Sequence, residues 1–184
     1  MTLKIKSLSY ISMLAAQGIV IGLIENTFPS PFVFAPGAKL GLANLITVIS
    51  LFTLPFPQVA LLTFVRVSLT ALFSGSASSF FFSLSGALLS LLVMSLIKKL
   101  GPNRVSIIGI SIMGGIFHNI GQLIVARFMT STTLIFNYLP IMSLSGILAG
   151  LVVGIVGNLL LYKLKKSCKL PHSLTTPLKN NPWL

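Results

Sequence analysis

With 184 residues, 54% of them hydrophobic and only 8% charged, the chain is too apolar for an ordinary soluble domain. Thirteen basic residues stand against one acid, a formal net charge of +12, which leaves no paired carboxylates for acid–base or two-metal catalysis. The composition points to an all-α integral membrane protein, a polytopic bundle expected over residues 1–166 with a short basic cytoplasmic tail over 167–184.

A membrane-crossing helix needs about 20 apolar residues at 1.5 Å rise each. Runs of that kind predict six transmembrane helices, roughly 8–25, 38–54, 57–74, 78–97, 105–128 and 136–163. Lys4 and Lys6 precede the first run, which continues to Glu25 without a clean small-residue cleavage site, and so reads as an uncleaved anchor. Ala15, Gly18, Gly22 and Glu25 share one face of it. Pro29, Pro31 and Pro36 then make a structured loop, and the short second helix that follows is a candidate for membrane re-entry.

Pro55 and Pro57 separate the second helix from the third. Inside the third lies Arg66, the only ionisable residue between Lys39 and Lys98. A charge at bilayer depth costs about 2.5–3.5 kcal/mol on insertion scales, so such a group faces a bundle interior or a wet cavity. Thr63, Arg66, Thr70 and Ser74 recur at helical spacing. Beyond Gly75 the fourth helix repeats the pattern with Ser79, Ser83, Gly86 and Ser90, and beyond Gly101-Pro102-Asn103 the fifth does so with Ser111, Gly115, His118 and Gln122. In the sixth, Gly146, Gly150 and Gly154 are followed by Asn158. The glycine stripes let helix backbones approach closely, either within the bundle or against a partner helix.

Three basic clusters fix the expected sidedness. Lys4 and Lys6, the Lys98–Lys99–Arg104 loop, and Lys163, Lys165, Lys166, Lys169 and Lys179 all flank spans. With six spans they fall on one side, cytoplasmic by the positive-inside rule, with both termini there. This accounts for the positive charge without nucleic acid, and attraction to anionic membrane lipids is a secondary effect. The lone Cys168 allows no internal disulfide.

On this topology the costly polar residues lie between the midplane and the outer surface. Lys39, Asn44, Arg66, His118, Asn119 and Gln122 are expected to line an outward-facing substrate pocket, with Arg127 at the end of its helix. Arg66, Lys39 and Arg127 outweigh Glu25, so the expected ligand is an anionic small molecule, a carboxylate or phosphate that Arg can grip in bidentate fashion. The competing account is an Arg66–Glu25 ion pair and hydrogen-bonded amides that lock the bundle. No phosphate loop, metal cluster or activated nucleophile is present, with His118 and His172 expected on opposite sides. No catalysis, cofactor or metal is therefore expected.

Certain segments carry a family resemblance: Pro36-Gly37-Ala38-Lys39-Leu40-Gly41-Leu42-Ala43-Asn44, Arg66, His118-Asn119-Ile120-Gly121-Gln122-Leu123, Tyr138-Leu139-Pro140 and Ser145-Gly146-Ile147-Leu148-Ala149-Gly150. Over most of residues 8–163 the chain resembles small bacterial membrane proteins called Gx transporter family proteins, or component I of heptaprenyl diphosphate synthase. The transporter resemblance implies a substrate-binding subunit in the bacterial inner membrane, similar to those of energy-coupling-factor systems, with ATPase and coupling subunits as partners. It also implies a small-residue docking face at Ser12 and Ala16, or at Gly18 and Gly22. For a ligand-binding pocket, the loop holding Pro36-Gly37 is expected to act as a lid, glycine giving the backbone freedom near the ligand. The synthase resemblance implies a noncatalytic membrane component beside a prenyl diphosphate synthase subunit. This chain has no aspartate from which to build the aspartate-rich magnesium sites of such enzymes.

Overall fold

The computed structural model describes residues 2–28, 39–166 and 182–183. Among these residues, six α-helices make up the bundle: α1 Thr2–Thr27, α2 Asn44–Thr53, α3 Phe56–Ser74, α4 Ala77–Lys98, α5 Ile107–Thr130 and α6 Leu139–Lys166, with a 3-10 turn at Thr133–Tyr138 before α6. The described residues contain no strand. The Pro29–Ala38 loop with its lid, and Cys168, Lys169, His172 and Lys179 of the tail, lie outside the described residues.

Local chemistry sets the helix ends. Pro55 is extended ahead of α3, and Pro57 occupies its first turn, where no backbone N–H is required. Gly75 closes that helix at φ +66°, a left-handed conformation open to glycine. Ser76 caps α4 by accepting from the Ser79 amide at 3.2 Å, and Ser106 caps α5 by accepting from Gly109 at 3.0 Å.

Five helices are long and apolar enough to cross a membrane by length and composition. The second is not. It begins at Asn44 rather than near residue 38, and its ten residues span about 15 Å. The segment still crosses most of the bundle. Gly41 N donates to Glu25 Oε1 at 2.6 Å near the end of α1, while Tyr10 Oη, fifteen residues earlier on α1, donates to Thr53 Oγ1 at 3.3 Å. Residues 41–53 therefore run antiparallel to α1 over about 22 Å. Residues 41–43, near Glu25, are unwound, and Asn44–Thr53 is helical.

Close packing orders the remaining helices. A Cβ added to Gly146 would meet Gly115 O at 2.6 Å, and one on Gly150 would meet Ile112 Cα at 2.6 Å. Gly146, Gly150 and Gly154 of α6 are thus consumed against α5 and are not free for a partner helix. Gly121 lies in the same way against Ser85 O at 2.7 Å, joining α5 to α4. Gly18 and Gly22 are spent on α3, facing Arg66 and Thr70, so they offer no docking face. Ser12 and Ala16 remain exposed on α1.

This arrangement gathers Lys98, Lys99, Arg104 and the lysines of α6 at one end of the bundle. Phe52 lies there too, with Lys98 Nζ 4.9 Å from its ring centroid and Trp183 edge-on at 5.4 Å. Large apolar side chains on the rim, such as Leu61, Leu72, Phe81, Leu96, Leu148 and Leu159, stay exposed, as a lipid-facing surface requires.

Candidate functional site

Unwound backbone at membrane depth survives only where protein buries it or a cavity adjoins it, because lipid offers no hydrogen bonds. Two long-range clamps hold residues 39–43. Gln122 on α5 grips both polar groups of Lys39: the Lys39 N–H donates to Oε1 at 2.9 Å and Nε2 donates to the Lys39 carbonyl at 2.8 Å. Glu25 on α1 accepts from Gly41 N at 2.6 Å and from Leu42 N at 3.3 Å through Oε1. A carboxylate at the start of α2 also opposes the positive end of its dipole. Gly41 has φ +86°, and a Cβ there would lie 2.9 Å from His118 Cδ2. Both facts demand glycine at this corner.

Beside the strap, α1, α3, α4 and α5 enclose a cavity of about 20 Å³, room for roughly one water molecule. Lys39, Asn44, Arg66 and His118 line it, with Glu25, Thr70 and Ser83. Four of the six expected site residues therefore meet in one place.

The other two expected residues face elsewhere. Gln122 is committed to the strap. Asn119 Nδ2 donates to the Met142 carbonyl at 2.6 Å and to Ser145 Oγ at 3.0 Å, tying α5 to α6. Arg127 does not line the cavity either. Thr70 and Ser83 are the additions. Both sit on the polar stripes of their helices, and the stripe through Arg66 was the signal that pointed to Thr70.

Several buried polar atoms around this pocket lack a hydrogen-bond partner among the described residues, as do others along the bundle such as Thr47 Oγ1, Thr63 Oγ1 and Ser111 Oγ. Among the described residues, Arg66 Nε, both polar atoms of the Asn44 amide, Thr70 Oγ1 and Ser83 Oγ are buried without a hydrogen-bond partner, while the His118 ring lies against the Gly86 backbone. Asn44, Arg66, Thr70 and His118 are each no more than 5% exposed. Most buried polar groups in folded proteins are satisfied, so such a cluster requires an explanation. The Arg66–Glu25 lock does not supply one: among the described residues Arg66 forms no ion pair, and Glu25 Oε1 is turned to the strap. In formal charge, Arg66 and Lys39 outnumber Glu25 by one around the cavity.

A model of the family described as heptaprenyl diphosphate synthase component I matches residues 14–160, most of the chain and every helix that builds the pocket. The chain belongs to that family. No curated protein and no solved structure matches it significantly. Membership covers the synthase half of the resemblance; the likeness to transporter subunits receives no such match. Glu25 is the chain's single acidic side chain, so the chain offers no aspartate-rich magnesium site of its own.

Proposed function

We propose that the chain is a noncatalytic membrane component that acts beside a prenyl diphosphate synthase subunit, its basic end facing the cytoplasm and its buried pocket receiving an anionic group. The family match over residues 14–160 carries the first part of this reading. Surplus positive charge and unsatisfied donors around Arg66 support the second. Lys39, Asn44, Arg66 and His118 act on the ligand, while Gln122 and Asn119 position the strap and α6. Copurification tests the assembly: the tagged chain should bring down a prenyl diphosphate synthase from its own membranes, and its deletion should change that enzyme's activity or product length. A synthase indifferent to the deletion overturns this reading.

A second reading is favoured by the interrupted second helix. Transporters often build midplane binding sites from discontinuous helices whose broken backbone adjoins the ligand. On this reading the chain is the substrate-binding subunit of an uptake system for an anionic small molecule, energised by ATPase partners. Uptake of a labelled ligand that depends on Arg66, in cells where synthase activity is unaffected by the deletion, would select it over the first.

A further inference from the structure

The orphaned groups of the pocket specify what kind of anion it takes. Among the described residues, four side chains on its wall carry buried donors with no partner: Arg66 Nε, Asn44 Nδ2, Thr70 Oγ1 and Ser83 Oγ. They come from α3, α2, α3 and α4, so no single helix accounts for the cluster. A carboxylate accepts about four hydrogen bonds through its two oxygens. The formal charge of the wall is Arg66 plus Lys39 against Glu25, an excess of one with His118 neutral. One monoanion removes that excess, whereas a phosphate dianion leaves a buried negative charge in its place. Uncompensated charge in low dielectric is costly in either sign.

Size points the same way. A space of about 20 Å³ holds something of the order of one water molecule. A planar carboxylate end needs only a small outward adjustment, while a tetrahedral phosphate needs more room in every direction. Among the described residues, the one wall that is not a packed helix is the strap over residues 39–43, so the remainder of the ligand lies on that side.

Resting on the reading of the pocket as an anion site, we infer that its ligand presents a single carboxylate, held by Arg66, Asn44, Thr70 and Ser83 beneath the strap. The test uses the full chain purified in detergent, with formate and acetate as probes, acetamide as the neutral isostere, and inorganic phosphate and diphosphate as competing anions. Binding is read by saturation-transfer NMR and by the shift in thermal unfolding.

Formate and acetate are expected to bind and stabilise, and acetamide is not. Arg66→Gln should abolish the effect. Because that variant alters a buried charge that also touches α1, Thr70→Val and Ser83→Ala serve beside it: each removes one hydrogen bond to a charged group and should weaken acetate on the order of tenfold, with helicity unchanged. Arg66-dependent binding of phosphate or diphosphate in preference to acetate would overturn the carboxylate assignment and leave the anion site standing. Absence of binding by every anion would overturn both. Acetate binding that ignores Thr70→Val, Ser83→Ala and Arg66→Gln alike would be adventitious and would overturn the assignment as well.

Discussion

Replacing Gln122 by Met tests whether the strap is held as its hydrogen bonds suggest. Methionine is close to glutamine in length and volume, so the substitution leaves little cavity in a residue 1% exposed. It removes both bonds to Lys39, 2.9 Å and 2.8 Å long, and strands a buried N–H and a buried carbonyl. Each unsatisfied group costs about 1–3 kcal/mol, so local opening of the strap becomes easier by about 2 kcal/mol or more. Every 1.4 kcal/mol is a factor of ten, and amide exchange across residues 39–43 should therefore accelerate by roughly 30-fold. Hydrogen–deuterium exchange with mass spectrometry on the detergent-purified protein reads this directly. Peptides from α6 serve as the internal standard, since Asn119 ties α5 to α6 independently. Unchanged exchange at 39–43 in a folded Gln122→Met protein would refute the clamp, and so would an equal acceleration everywhere.

Further outcomes follow from the same geometry. Gly146→Leu should destabilise the bundle by about 1–3 kcal/mol or prevent its folding, because its side chain meets the Gly115 backbone rather than a movable side chain; SDS-induced unfolding measures it. Gly18→Ala presses on the flexible Arg66 side chain instead, so it should impair anion binding in a calorimetric titration while helicity survives. Glu25→Gln keeps an acceptor for the Gly41 amide but deletes the only acid, and should tighten anion binding several-fold in the same titration. Trp183, the only tryptophan, packs edge-on to Phe52, so Phe52→Ala should shift its fluorescence emission to longer wavelength.

Much of the helical plan was legible in the chain because apolar runs of spanning length are punctuated by Pro55, Pro57, Gly75 and Gly101. The second helix departed from the pattern for a reason hydropathy does not register. Residues 40–43 are as apolar as a helix interior, and what unwinds them is Gly41 in a left-handed conformation with Glu25 and Gln122 meeting the freed backbone from other helices. The candidate site was legible in the same partial way. Polar residues in the half of the bundle away from the lysines do converge, but a sequence cannot say whether an amide faces a ligand or the chain's own backbone. Gln122 and Asn119 do the latter. Arg66 stands out in the sequence for its cost, but that it forms no ion pair among the described residues is a matter of geometry, with Glu25 Oε1 bonded to the strap.

Native mass spectrometry of the protein extracted in mild detergent tests the central claim most directly, by weighing what the pocket retains. Wild-type chain should carry a small anionic adduct in one-to-one ratio, and Arg66→Gln chain, equally helical, should carry none. An adduct retained equally by both, or a wild-type chain that is bare after extraction from its own membranes, would contradict the account.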